Sequence, residues 1–245
     1  MKRILILFLV VLSLPLFAQK KPAEEILRLV DKNRITNTIK IRSRMIVHSR
    51  RASRTLEAVS YAEGNGKFYC EYLSPAQEKG TKMLKLGEDL WIFDPATDCS
   101  IQISGSMLKQ SLVGSDLSYE DMMEVAPLQE NHTAEIQKEI KHEGRQCWVL
   151  NLIAKNPDES YHKRIIYIDK ERYVNLYEEW YGKNGKLLKT VEASSVKNID
   201  GRWVPTKYVF KDKLKQGKGT EYYLEEIQIN PNLPAYIFNK AMLHK

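Results

Sequence analysis

Three cysteines in 245 residues are too few for a disulfide scaffold or for several structural zinc sites. Twelve glycines and nine prolines exclude collagen-like and low-complexity architectures. The only long, predominantly apolar run, Ile4 to Ala18, falls short of the roughly 20 residues a membrane-spanning helix needs, so a polytopic helical membrane protein is excluded. The five histidines, His48, His132, His142, His162 and His244, lie far apart and show no His-Glu-x-x-His spacing. Gly114-Ser115-Asp116 lacks the second glycine of a nucleophile elbow, and neither a glycine-rich phosphate loop nor a Cys-x-x-Cys pair occurs. The expectation is a protein without catalytic residues, cofactor or metal.

The composition that remains, 43% hydrophobic and 28% charged, is that of an ordinary globular chain. Its apolar run follows Lys2 and Arg3, contains Pro15 and closes on Leu16-Phe17-Ala18 before Gln19, which is the pattern of a secretory signal. Residues 1–18 are therefore expected to be a signal peptide and 19–245 a single exported domain. No cysteine stands at the cleavage point, so a periplasmic protein free of a lipid anchor is expected. Cys70, Cys99 and Cys147 allow at most one disulfide, in any of three pairings, or three free thiols.

Charge is unevenly placed, with Arg42, Arg44, Arg50, Arg51 and Arg54 close together. Alternation sets Arg42 and Arg44 on the polar face of a strand whose other face carries Ile39, Ile41, Met45 and Val47. Two readings stay open: a solvated strand face, or a contact, through Arg50, Arg51 and Arg54, with anionic headgroups or an acidic partner protein. An exported chain gives no reason to expect nucleic acid.

Pro22 followed by Glu24 and Glu25, with Ile26, Leu29 and Val30 at helical spacing, predicts one short amphipathic helix. From Ile39 onward the period becomes two. Segments recur at 39–48, 55–62, 67–73, 82–86, 90–93, 99–104, 133–141, 146–154, 162–168, 174–181, 186–197, 203–211 and 220–229. Glu143-Gly144, Asn184-Gly185 and Asp200-Gly201 between them suit tight hairpins, so neighbouring strands should pair antiparallel in a large curved sheet or barrel, with a sandwich as the rival. Within the strands, Glu178 and Glu179 should point to opposite faces, as should Glu225 and Glu226 unless a bulge intervenes.

The stretch from Gly105 to Met123 breaks the pattern. Ser118 and Asp121 form a possible capping box, and Met107, Leu108, Leu112, Val113, Leu117, Met122 and Met123 are more apolar than a connection requires. Two readings stand: a plug for one end of the sheet, or a lid whose methionines adapt to an apolar ligand. Alternation nominates Ile39, Ile41, Met45, Phe68, Trp91, Phe93, Ile101, Trp148 and Trp180 as the lining of an apolar cavity.

A resemblance rests on Leu90-Trp91-Ile92-Phe93-Asp94-Pro95 after Gly87-Glu88-Asp89, and on a wider order of motifs. These are Pro75-Ala76, Lys79-Gly80-Thr81, Gly114-Ser115-Asp116-Leu117-Ser118-Tyr119-Glu120-Asp121, Cys147, Gly201-Arg202-Trp203-Val204-Pro205 and a terminal Phe238 to Leu243. Together they resemble the outer membrane lipoprotein-sorting proteins, the LolA/LolB-like periplasmic carriers. The resemblance implies a mainly β protein, a half-open antiparallel barrel of about eleven strands with short helices as a lid. It implies a monomer without enzymatic activity that receives acylated lipoproteins from an inner-membrane donor complex or transporter and passes them to an outer-membrane acceptor. A carrier of free lipid, or a non-catalytic envelope sensor or interaction domain, are the alternative functions. The family's lid-locking Arg before Pro has no counterpart, since Ser74 precedes Pro75; Lys79 or Lys82 could take that role.

Overall fold

The structure is a computed structural model that describes residues 22–49, 52–123 and 126–245. The expected signal peptide, Arg50 and Arg51 lie outside the described residues. Among the described residues, no helix is long and apolar enough to cross a membrane.

Thirteen strands form one antiparallel sheet. The first six are β1 (Thr38–His48), β2 (Ser53–Glu63), β3 (Lys67–Ser74), β4 (Lys82–Leu86), β5 (Asp89–Asp94) and β6 (Cys99–Ile103). The other seven are β7 (His132–His142), β8 (Arg145–Ala154), β9 (Lys163–Asp169), β10 (Asn175–Tyr181), β11 (Leu187–Ile199), β12 (Arg202–Asp212) and β13 (Thr220–Ile229). The chain meanders outward from β1 to β6, crosses to the opposite edge at β7, and meanders back until β13 pairs with β1. β6 and β7 are unjoined edges, so the barrel is half open. The count is thirteen rather than the eleven that the resemblance implied, and it matches the thirteen alternating segments of the sequence.

Two hairpins use the expected chemistry: Glu143-Gly144 and Asp200-Gly201 take φ of 45° and 81°, and of 48° and 80°. Paired positive φ is what a two-residue turn needs to match strand twist. Asn184-Gly185 departs from this, with only Gly185 at positive φ, because the connection is longer and Gly182 N–H bonds Lys186 O at 3.0 Å.

Helix α1 (Ala23–Arg34) starts after Pro22 and buries Ile26, Leu27 and Val30 against Leu150, Leu152, Ile166 and Ile168 on the inner face of β8 and β9. Polar contacts fasten it there. Asn33 Nδ2 donates to Arg172 O at 2.7 Å, Trp203 N–H donates to Asn33 Oδ1 at 3.2 Å, and both Asp31 oxygens accept backbone N–H groups, from Leu128 and Gln129, at 3.0 Å. The crossing from β6 to β7 contains short 3-10 turns, then α2 (Tyr119–Met123) and α3 (Leu128–Asn131). After β13, the C-terminal segment lays Ile237, Phe238 and Leu243 on the outer face against Tyr69, Leu84 and Phe93.

Candidate functional site: a lidded cavity on the inner face

Between the two halves of the sheet lies a cavity of about 320 Å³, at the low end of the roughly 300–1,000 Å³ typical of ligand sites. Phe68 of β3 and Glu178 of β10 both line it. Their strands are six apart in the sheet order, so only strong curvature brings them to one space. Ile39, Ile41, Phe68, Leu224 and Ile229 make the apolar wall, Val191, Ala193 and Pro205 continue it, and Met122 of the lid closes over it.

The crossing segment covers this inner face, and its seven nominated side chains, Met107, Leu108, Leu112, Val113, Leu117, Met122 and Met123, all join the core of the first half with Met45, Leu56, Phe68 and Met83. Gly105 and Gly114 sit at positive φ, as does the β-branched Val113 at 42°, a conformation that strains any side chain but glycine. The expected capping box is present: Ser118 N–H donates to Asp121 Oδ2 at 2.6 Å, and Asp121 N–H donates to Ser118 Oγ at 3.3 Å.

Two lid aspartates tie this segment to the far half of the sheet. Asp116 receives Asp212 N–H at 2.9 Å and Thr220 Oγ1 at 2.9 Å, with Lys211 Nζ at 3.6 Å, while its own N–H donates to Thr220 Oγ1. Asp121 receives the Tyr161 hydroxyl at 2.7 Å and the Lys189 ammonium. Burial, followed by the Asp121 charge, pushes the Tyr161 phenol far up and keeps it a donor. From the near half, Arg54 of β2 donates to Val113 O, and from the connection between β12 and β13 Lys215 donates to Ser111 Oγ at 2.8 Å and to Ser115 O.

Of the two lysines named for the family's lid-locking role, Lys82 is engaged elsewhere. Lys82 points to the outer face and donates to Leu243 O at 3.3 Å, and the basic residues bonded to the crossing segment are Arg54, Lys85, Lys189, Lys211 and Lys215. Arg54 is thereby committed to the lid and to Glu78 at 2.9 Å. Arg42 and Arg44 are paired on the outer surface with Glu57 at 2.9 Å and Glu225 at 2.7 Å, which is the solvated strand face.

The nominated cavity residues divide. Ile39, Ile41 and Phe68 line the cavity. Met45 is buried beneath the lid. Trp148 packs beside α1 and Tyr173, and Trp180 is buried against Tyr161 at 4.8 Å between ring centres. Trp91 and Phe93 require correction: they face outward under the C-terminal segment, while Leu90, their alternate, faces in. Ile101 is 52% exposed on the edge strand β6, which has no further neighbour to cover it.

Sequence reasoning missed the polar wall, made of Asn175, Glu178, Tyr208 and Tyr222. Glu178 was legible as the same-face alternate of Trp180, and it does part from Glu179, which accepts outward from Tyr181 at 2.5 Å. Glu225 and Glu226, by contrast, are both exposed, because a bulge at Arg42/Ser43 inserts one extra residue into β13. All three cysteines are free, Cys70 and Cys147 buried and Cys99 exposed. Among the described residues, no group of three His, Cys, Asp or Glu is placed to hold a metal ion.

A family model described as "-like: Uncharacterized protein" matches residues 64–245. No curated protein matches the sequence. Among solved structures, a domain designated as outer membrane lipoprotein-sorting, from Vibrio parahaemolyticus, has 22% identity and a TM-score of 0.80, over 91% of this chain and 98% of that one. A DUF1329 family protein from Desulfovibrio piger has 21% identity and a TM-score of 0.82, over 90% and 97%. A LolA superfamily protein from Nitrosomonas europaea has 22% identity and a TM-score of 0.76, over 91% and 99%.

Proposed function

From the premise that the chain belongs to the family whose model spans its residues 64–245, and has the fold of the LolA superfamily, we propose that it is a carrier of acyl chains. The observation that carries this reading is the covered cavity: an apolar wall of Ile39, Ile41, Phe68 and Ile229, with Met122 of the crossing segment over it and that segment bonded to the sheet through Asp116 and Asp121. Moving a hydrocarbon tail from water into such a wall contributes about 0.8 kcal/mol per methylene, enough to hold a chain without covalent chemistry. Ion pairs and hydrogen bonds are suitable fasteners, because water replaces them when the lid swings about Gly105 and Gly114.

In this reading residues 19–245 work as one exported domain in the periplasm, without enzymatic activity. It takes acylated lipoprotein from an inner-membrane donor and delivers it toward the outer membrane. The small size of the closed cavity favours a second reading, in which one chain of a free lipid is the cargo and a membrane lipid exporter the source.

Native mass spectrometry of protein purified without detergent tests the reading, with identification of whatever denaturation releases. Near-stoichiometric lipoprotein or lipid is the expected result. A clean apo mass together with no uptake of added lipid or acylated peptide overturns it.

A further inference from the structure

The cavity is apolar on one side only. Across from Ile41 and Phe68 stand Asn175 and Glu178 of β10 and Tyr208 of β12. Asn175 Nδ2 donates to Glu178 Oε1 at 2.9 Å, and Trp180 Nε1 donates to Glu178 Oε2 at 2.8 Å. Both donors are neutral, and among the described residues no ion pair reaches Glu178. The cation at the cavity mouth, Arg34, is paired with Asp31 at 3.2 Å. A carboxylate offers about four acceptor positions, so these two bonds leave roughly half of those of Glu178, a cavity-lining residue, unused.

Other acceptors beside it are also unmet. Asn175 Oδ1 is buried without a hydrogen-bond partner. Ser60, only 6% exposed, faces the same cavity from β2, and its Oγ has just the weak Cys70 thiol beside it. Acceptors set in an apolar enclosure favour a ligand that brings donors, and a carboxylate without a counter-ion favours a donor that is a cation. A ligand ending in its own carboxylate meets repulsion at the same place.

We propose that the cavity binds an amphiphile whose hydrocarbon tail lies along β1 and β3 and whose amine end pairs with Glu178. The inference rests on the carrier reading and narrows its cargo to aminated chains, whether the amine belongs to a lipid headgroup or to a lipopeptide.

Displacement of the fluorescent probe 1-N-phenylnaphthylamine from the full-length protein tests it, with dodecylamine, dodecanol and dodecanoate as competitors. Dodecylamine is expected to displace the probe at about tenfold lower concentration than dodecanoate, with dodecanol between them. Glu178→Gln, which keeps the size of the side chain, is expected to bring the three together. Further arms with lysophosphatidylethanolamine and a diacylated dipeptide bearing a free amine tell the two sources apart. If dodecanoate or dodecanol competes as well as dodecylamine against the wild-type protein, the amine inference is overturned and the carrier reading stands. If the probe itself is not taken up, both fall.

Discussion

Lys189 of β11 pairs with Asp121 of α2 across the inner face of the sheet, with side-chain exposures of 9% and 1%. Removing one charge strands the other in a buried site, a loss of about 3–5 kcal/mol. Lys189→Met is therefore expected to lower the melting temperature and to speed uptake of a hydrophobic probe through a loosened lid. The double variant Lys189→Met with Asp121→Asn should regain most of the stability, because no charge is left unpaired. A double-mutant cycle by thermal unfolding reads the coupling; additive single effects would show that the pair does not hold the lid.

Ala193, 5% exposed, lines the cavity, whereas Trp91 lies on the other face with Lys240 Nζ 3.7 Å above its ring centre. Filling the cavity with Ala193→Phe is expected to cut probe uptake by about tenfold while stability changes by no more than about 1–3 kcal/mol. Trp91→Ala should do the reverse, loosening the C-terminal segment while uptake is retained. Fluorescence titration beside thermal denaturation separates the two, and loss of uptake in Trp91→Ala would contradict its outward placement.

Glu221 sits outside the cavity among three donors. The Tyr223 hydroxyl at 2.5 Å, His48 at 2.8 Å and Lys207 at 3.0 Å hold its carboxyl down to about 2, from an ordinary 4.5. A carboxyl depressed on folding adds stability above its unfolded value, and that stability is lost as pH falls from 4.5 toward 2. The side chain is 25% exposed at the sheet surface, and solvent screening keeps the effect to about 1 kcal/mol. Glu221→Gln is expected to flatten the stability profile in that window, as measured by thermal unfolding across a pH series.

The cysteines differ in reach. Burial pushes the Cys70 thiol up to about 12 and the Cys147 thiol up to about 11, while Cys99 is exposed on the edge strand. Thiolate is the reactive form, so a maleimide applied to the native protein near neutral pH should add once per chain, at Cys99, and three times after unfolding. Intact-mass measurement counts the adducts. Rapid native modification of Cys70 would mean that the inner face under the lid opens readily.

Strand positions, hairpin sites and the apolar crossing segment were readable from sequence because their causes are local. Period-two alternation marked thirteen segments, paired positive φ at Glu143-Gly144 and Asp200-Gly201 closed two hairpins, and the Ser118 and Asp121 box opened α2. Alternation also separated Leu90 from Trp91 and Glu178 from Glu179, but it carries no sign. Both faces of β5 are apolar, and only the packing of the lid on one and of the C-terminal segment on the other decides which is inner. The lid lock lies further beyond local pattern, since Lys189 and Asp121 are 68 residues apart. The cavity itself was decided by tertiary structure alone, because the pairing of β1 with β13 and the curvature of thirteen strands set Phe68 and Glu178 around one space.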